Sequence, residues 1–343
     1  FYRAITCDLG PEGTVVNAGW PIAVTGFCSG PYEKIMSAIF ELWSGLMPER
    51  AIACSFNLEY LLIGGKDARS DAGGFFMWYD WMVGGWGGRN GKDGANCTSP
   101  LFGVGLAVQP FEGQERLTPV VTDRHEIVVD SGGPGRYRGG CGVEKGGTLT
   151  ASERAVMSYC CDRSRNVAWG VAGGLPSTPH GVWLNKGADD ERYLGAVFSN
   201  VPVGPGDRFT RPSAGGGGYG DPLDRPADEV LDDVVDGYVS VERAAIDYGV
   251  IINVVDADCD DFVVDETATT AKRKEIRDAR MGWLEVDAEE VAARYRAGDL
   301  NELDLIRQYG VIVDWGSGQL FPKTTEQFRG LLKKRAAAYW TAA

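Results

Sequence analysis

The chain has 343 residues, too many for one ordinary domain and enough for two, or for one large domain with an appendage. Hydrophobic residues make up 44% and charged residues 24%, a globular mixture that excludes disordered and fibrous classes. The net charge of −14 speaks against a nucleic-acid-binding surface and against an anionic membrane, and no run has the ~18 apolar residues of a spanning helix.

In chain order, 14–16 and 22–24 read as short strands. Ser29 and Pro31 mark a helix start, Ile35, Ile39, Leu42 and Leu46 follow at helical spacing, and Pro48 ends the run. A strand is expected over 51–56, and 75–83 is aromatic-rich enough for a buried one. From 101 to 219 no helix is expected. Strands are predicted at 120–129, 156–161, 181–184, 193–198 and 208–211, with a tight turn region over 201–207 where Pro202 and Pro205 fall. Two short amphipathic helices follow, around Val230 and Val234 and around Val241 and Ala244. A β-branched strand over 250–255 precedes helices over 268–283, 288–310 with a break near Gly298, and 325–340. The expected fold class is α+β: a glycine-rich, strand-dominated mixed region over 1–222, then an acidic, mainly helical region over 223–343. Between Pro226 and Glu266 there are thirteen acids against one base, Arg243, so most of the charge imbalance is local. Glycine is the anomaly, 48 residues or about twice ordinary usage, without a collagen period. The excess must lie in turns and close backbone approaches.

The candidate chemistry is sparse. The two histidines, His125 and His180, are fifty-five residues apart and neither has a partner at metal-ligand spacing. The acid run 256–261 starts like a calcium loop but has Asp261 where glycine is needed and Thr267 where the closing glutamate belongs. Gly91-Lys92 lacks the upstream glycine of a Walker loop, and the glycine run 215–220 is followed by Asp221-Pro222, so ATP is expected to bind elsewhere. Gly26-Phe27-Cys28-Ser29-Gly30 lies between a predicted strand and a predicted helix, which makes Cys28 a reserve nucleophile; the plainer reading is a buried thiol.

Six glycines fall within 84–94, Gly-Gly-Trp-Gly-Gly-Arg-Asn-Gly-Lys-Asp-Gly. Amides freed of Cβ bulk at Gly85, Gly87 and Gly88, with Arg89, can close on a substrate, and Asp93 can act as a base or orient a ligand. The competing reading is a hairpin that packs Trp86. Residues 130–140 read as a turn that opens on Asp130, where Arg136 and Arg138 either hold an anion, pair with acids or decorate a structural corner. His125 is a nearby polar candidate. Eight cysteines without a regular framework fit a reducing cytoplasm.

Four of these segments in order resemble the hydantoinase B/oxoprolinase family: 84–94; 130–140, Asp-Ser-Gly-Gly-Pro-Gly-Arg-Tyr-Arg-Gly-Gly; 215–222, Gly-Gly-Gly-Gly-Tyr-Gly-Asp-Pro; and 236–250, which opens Asp-Gly-Tyr-Val-Ser-Val-Glu-Arg. The resemblance implies a catalytic subunit beside a hydantoinase A-like partner that binds ATP and phosphorylates a carbonyl oxygen, after which this subunit completes hydrolysis of a cyclic amide. It places the family's divalent-metal His and Asp ligands upstream of Phe1, which is not a Met and opens into strand-like sequence, so the chain reads as continuing upstream. The stretch 306–315 followed by Pro322-Lys-Thr-Thr looks more like the large subunits of ketone carboxylases, which makes carboxylation of acetone or acetophenone the alternative. A non-catalytic assembly subunit, docking through the acidic segment and helical tail, is the third.

Overall fold

The computed structural model describes residues 6, 8–14, 17–22, 32–69, 71, 73–81, 83–101, 108–259 and 261–340. The elbow around Cys28, the helix start at Ser29 and Pro31, and most of both N-terminal strands expected from the sequence lie outside these residues. A helix, α1 (Glu33–Leu46), precedes β1 (Glu59–Asp67) and β2 (Phe75–Trp81). A short α2 (Phe111–Leu117) leads into β3 (Val120–Ile127), β4 (Val143–Leu149), β5 (Ser152–Cys161), β6 (Val182–Leu184), β7 (Arg192–Gly195), β8 (Val197–Val203) and β9 (Arg208–Pro212).

These strands form two antiparallel sheets, one ordered β2-β1-β5-β8 and the other β3-β4-β9-β6-β7. Alternation explains why they stack. In β2 the residues Phe76, Trp78 and Asp80 are buried while Phe75 and Met77 face out. The inward phases of both sheets meet in one core that includes Leu61, Ile63, Trp78, Leu149, Met157, Tyr159, Leu184 and Phe209. Trp78 and Phe209 touch across it at 5.3 Å between ring centroids.

Beside the sandwich the chain builds a second core in which glycine backbones pack directly on one another next to a cluster of Phe40, Trp169, Val171 and Tyr219. Segments 51–56, 84–94, 132–142, 168–175 and 214–220 run extended and exchange backbone hydrogen bonds. Ala53 N donates to Gly88 O (2.9 Å), Gly88 N to Gly217 O (2.9 Å) and Gly217 N to Cys54 O (2.8 Å). Gly140 N donates to Trp86 O (2.8 Å), Gly216 N to Gly140 O (2.9 Å) and Gly133 N to Gly216 O (2.7 Å). A Cβ at Gly140 or Gly216 would overlap a neighbouring carbonyl, so only glycine lets the backbones approach this closely. This bundle accounts for much of the glycine excess.

After Asp221 come α3 (Ala227–Val235) and α4 (Val241–Asp247), then the hairpin β10 (Ile252–Asp256) with β11 (Asp261–Val264). They are followed by α5 (Glu266–Trp283), α6 (Ala288–Arg296), α7 (Glu302–Asp304) with a π-helical turn over Leu305–Tyr309, and α8 (Pro322–Leu332). Val291, Leu305, Ile306, Ile312, Trp315 and Phe328 form their core, which also takes in Val167. Arginines bolt this region to the glycine bundle. Buried Arg307 donates to Asp130 O (2.7 Å), Gly132 O (3.0 Å) and Pro176 O (3.1 Å) and pairs with Asp247 at 2.6 Å. Arg280 grips Asp221 with both nitrogens, at 2.9 and 2.7 Å. Part of the acidic segment is therefore internal wiring: Asp233 and Asp247 are buried.

The fold is α+β as expected, with antiparallel sheets through the middle and helices in the C-terminal part. Three differences are physical. Residues 51–56 are extended but belong to the glycine bundle instead of a sheet. The single strand expected over 193–198 is two, β7 and β8, parted at Gly195 with its φ of 85°. In α1 the apolar stripe faces outward: Ile35, Ile39 and Leu42 are exposed, while Glu33, Ser37 and Phe40 face in.

Candidate functional site

The inward phase of the strands also carries charge. Glu59 opens β1 in phase with Leu61 and Ile63, and Asp80 follows Phe76 and Trp78 in β2. Tyr159 on β5, Lys145 on β4, Arg211 on β9 and His180 just before β6 complete a cluster whose side chains are all buried. Lys145 Nζ lies 2.7 Å from Asp80 Oδ1, and Arg211 bonds the other Asp80 oxygen. Arg211 Nε is 3.8 Å from Glu59 Oε1. Glu59 Oε2 accepts from the Tyr159 hydroxyl and sits 3.1 Å from His180 Nδ1, while His180 Nε2 is 3.2 Å from the Phe56 carbonyl.

Two carboxylates thus face two cations in a setting that would penalise any unpaired one. Burial pulls the Lys145 ammonium below its usual range, and Asp80 opposes that by charge and hydrogen bond. Burial, with Cys161 and Glu59 adding, pushes the Tyr159 phenol well up, so it stays a donor to Glu59. The cluster reaches two clefts. Asp80 lines one of about 230 Å³ with Tyr79, Trp81, Gln109 and Gln114. His180 lines another of about 260 Å³ with Trp183, Tyr193 and Trp315. Chemically the arrangement holds proton-carrying groups rigid beneath two small openings.

The residues singled out from the sequence fall elsewhere. Asp93 binds Arg225 with both oxygens, each at 2.9 Å, and Oδ1 also accepts the Arg138 amide at 2.7 Å. It brackets the glycine bundle to α3. Gly85, Gly87 and Gly88 are buried in that bundle; Gly85 N is spent on Ala214 O and Gly88 N on Gly217 O. A Cβ at any of the three would overlap a neighbouring backbone carbonyl. Arg89 is exposed in a turn with Lys92. Asp130, at φ 64°, accepts the Ser240 amide at 2.7 Å. Arg136 pairs with Glu229 at 2.8 Å over the Tyr137 ring, the structural-corner arrangement. His125 lies on β3, edge-on to Phe111 at 5.0 Å between centroids. Burial lowers its pKa, helped by the Lys145 charge. Asp93 and His125 have different partners and do not meet. Cys28 is outside the described residues. Among the described residues no group of three or more His, Cys, Asp and Glu is disposed to hold a metal ion. The sequence signal for the buried cluster was a charged residue in the apolar phase of an alternating strand.

The model of the hydantoinase B/oxoprolinase family matches residues 1–222. Caprolactamase subunit beta of Pseudomonas jessenii is 31% identical over 277 residues, covering 79% of this chain and 46% of that protein. The acetone carboxylase alpha subunit of Xanthobacter autotrophicus is 25% identical over 331 residues, covering 83% of this chain and 42% of the other. The crystal structure of the ATP-dependent caprolactamase from Pseudomonas jessenii superposes with a TM-score of 0.65 at 30% identity, over 80% of this chain and 47% of that one. The chain spans less than half the length of these relatives. The glycine bundle falls within the matched segment, and the chain belongs to the hydantoinase B/oxoprolinase family.

Proposed function

We propose that this chain is part of a subunit of an ATP-dependent complex that hydrolyses a cyclic amide. The carrying observation is the likeness to caprolactamase, in sequence at 31% identity and in structure at a TM-score of 0.65. On this reading a hydantoinase A-like partner binds ATP and phosphorylates the amide oxygen, which converts a poor electrophile into a reactive one. Ring opening consumes one water and the coupled loss of phosphate another, leaving a linear amino acid, ADP and phosphate. The present residues contribute a rigid platform, the backbone bundle and the buried ionic cluster, under the clefts that flank it. No step is assigned to a metal. We place the complex in the cytoplasm, a reading supported by the free thiols of Cys54, Cys97, Cys141, Cys160, Cys161 and Cys259.

A second reading, carboxylation of a ketone, draws on the acetone carboxylase match, which reaches further along this chain than the caprolactamase match, 83% against 79%. The assembled complex separates the two. ADP formation coupled to opening of 5-oxoproline, hydantoin or caprolactam is the expected result. Bicarbonate-dependent consumption of acetone or acetophenone would overturn it in favour of the second. Co-purification with the partner, without any effect on its turnover, would support a purely assembling role.

A further inference from the structure

The cleft of about 260 Å³ beside His180 lies where the sandwich meets the C-terminal region. Its walls are apolar and braced. Trp183 of β6 and Tyr193 of β7 pack at 4.9 Å between centroids with their planes tilted by 48°, and the Tyr193 hydroxyl is 3.4 Å from Ser164 Oγ. Trp315 lines the same cleft and is held by its indole N–H on Ser164 O at 3.1 Å. Leu303 of α7 adds an aliphatic surface.

Polar groups are distributed around these walls. The Thr178 Oγ1 is buried and has no hydrogen-bond partner among the described residues, although a hydroxyl can both donate and accept. Lys186 Nζ rides over the Trp183 ring at 5.4 Å, with no acidic partner among the described residues. Glu302 comes from α7, which is fixed by the reciprocal Asn301 and Asp304 capping bonds. One of its oxygens accepts from Tyr295 OH at 3.1 Å, leaving the other open. The other acid on the lining, Glu144, is already tied to Arg124 at 3.0 Å. An unpaired ammonium, a half-used carboxylate, an orphaned hydroxyl and three aromatic walls describe a complement to a ligand with opposite charges at its ends and methylenes between.

We propose that this cleft binds a linear amino acid, its carboxylate on Lys186, its ammonium on Glu302 and its chain between Trp183, Tyr193 and Trp315. Such a zwitterion is what opening a lactam releases, so its identification as the product rests on the hydrolytic reading above; the ligand chemistry does not.

The test is calorimetric titration of the isolated chain with 6-aminohexanoate, and with hexanoate and hexylamine as half-ligands. The zwitterion should bind about tenfold or more tighter than either half, the worth of one charge-assisted contact. Lys186→Met should weaken 6-aminohexanoate and hexanoate about tenfold and leave hexylamine unchanged; Glu302→Gln should do the reverse. Lys186 is exposed, so its variant keeps the fold, and circular dichroism checks both. Equal affinities across the three proteins, or no saturable binding up to about 10 mM, would overturn the proposal. Neither ATP nor partner is present, so the two readings fail separately. Binding alongside a complex that opens no cyclic amide refutes the reaction and keeps the cleft; ring opening without binding refutes the cleft.

Discussion

Replacing Gly216 by alanine probes the backbone bundle directly. Gly216 donates to Gly140 O at 2.9 Å and accepts from Gly133 N at 2.7 Å. A methyl there would overlap the Trp86 carbonyl and the Gly87 amide, which are main-chain atoms with no flexible end to swing away. The Trp86 carbonyl is itself the acceptor for Gly140 N. Relief therefore requires one strand of the bundle to move and at least two buried amides to lose their partners. At about 1–3 kcal/mol for each unpaired group and about 1–3 for overpacking, the loss is roughly 3–9 kcal/mol. That is comparable with a whole domain's stability of about 5–15 kcal/mol. Urea titration followed by tryptophan fluorescence measures it, with Gly330→Ala as the control. Gly330 sits inside α8 with open space around its missing Cβ, so alanine there should stabilise by about 0.5–1 kcal/mol. If Gly216→Ala unfolds at the wild-type urea midpoint, the account of the glycines is wrong.

Two further outcomes follow from the same geometry. Arg307→Met removes the cation that binds the carbonyls of Asp130, Gly132 and Pro176, in and beside the bundle, and Asp247, leaving a buried carboxylate short of charge; the cost is about 3–5 kcal/mol. Hydrogen exchange should rise first across 288–332, and uniform protection in the variant would deny Arg307 its bolting role. His125 should titrate below 6.5 by NMR, and Lys145→Met should move it back toward that value because the Lys145 charge is one of the causes. In the window between the lowered value and 6.5 the unfolded chain binds the proton that the folded chain has released. His125 therefore makes stability rise with pH across that window, a slope that His125→Asn should erase.

What was legible in the sequence followed from periodicity. The C-terminal helices α3 to α6 and α8 fall where their apolar spacing places them, and β2, β3, β6 and β9 where alternation or β-branching does. Periodicity gave the existence of α1 but the wrong face: Ser37 is turned inward to meet Asn57 at 3.2 Å and Arg163 at 2.9 Å, while Leu42 is left outside. β4 was hidden because its centre is Gly146-Gly147, the latter occupied by the Phe209 ring. α2 was hidden because Phe111–Leu117 is short and mostly polar. The buried ionic cluster was harder still. Glu59, Asp80, Lys145 and Arg211 come from four strands in both sheets, and only the register of each strand tells that their side chains point inward. The glycine run 84–94 offered a substrate loop or a packing device, and its backbone partners, Ala53, Gly140 and Gly217 among them, lie 35 to 129 residues away in sequence, beyond the reach of any local pattern.

That dependence on distant neighbours also governs how the molecule is made. The bundle joins segments beginning near residues 51, 84, 132, 168 and 214, so its set of hydrogen bonds cannot be completed until the last of them has left the ribosome. Until then the earlier glycine stretches are among the most pliable parts of the nascent polypeptide, and immobilising them late is entropically steep. Acquisition of the native state should therefore be slow and wait until residues 214–220 have emerged, with shorter nascent lengths remaining open to proteases.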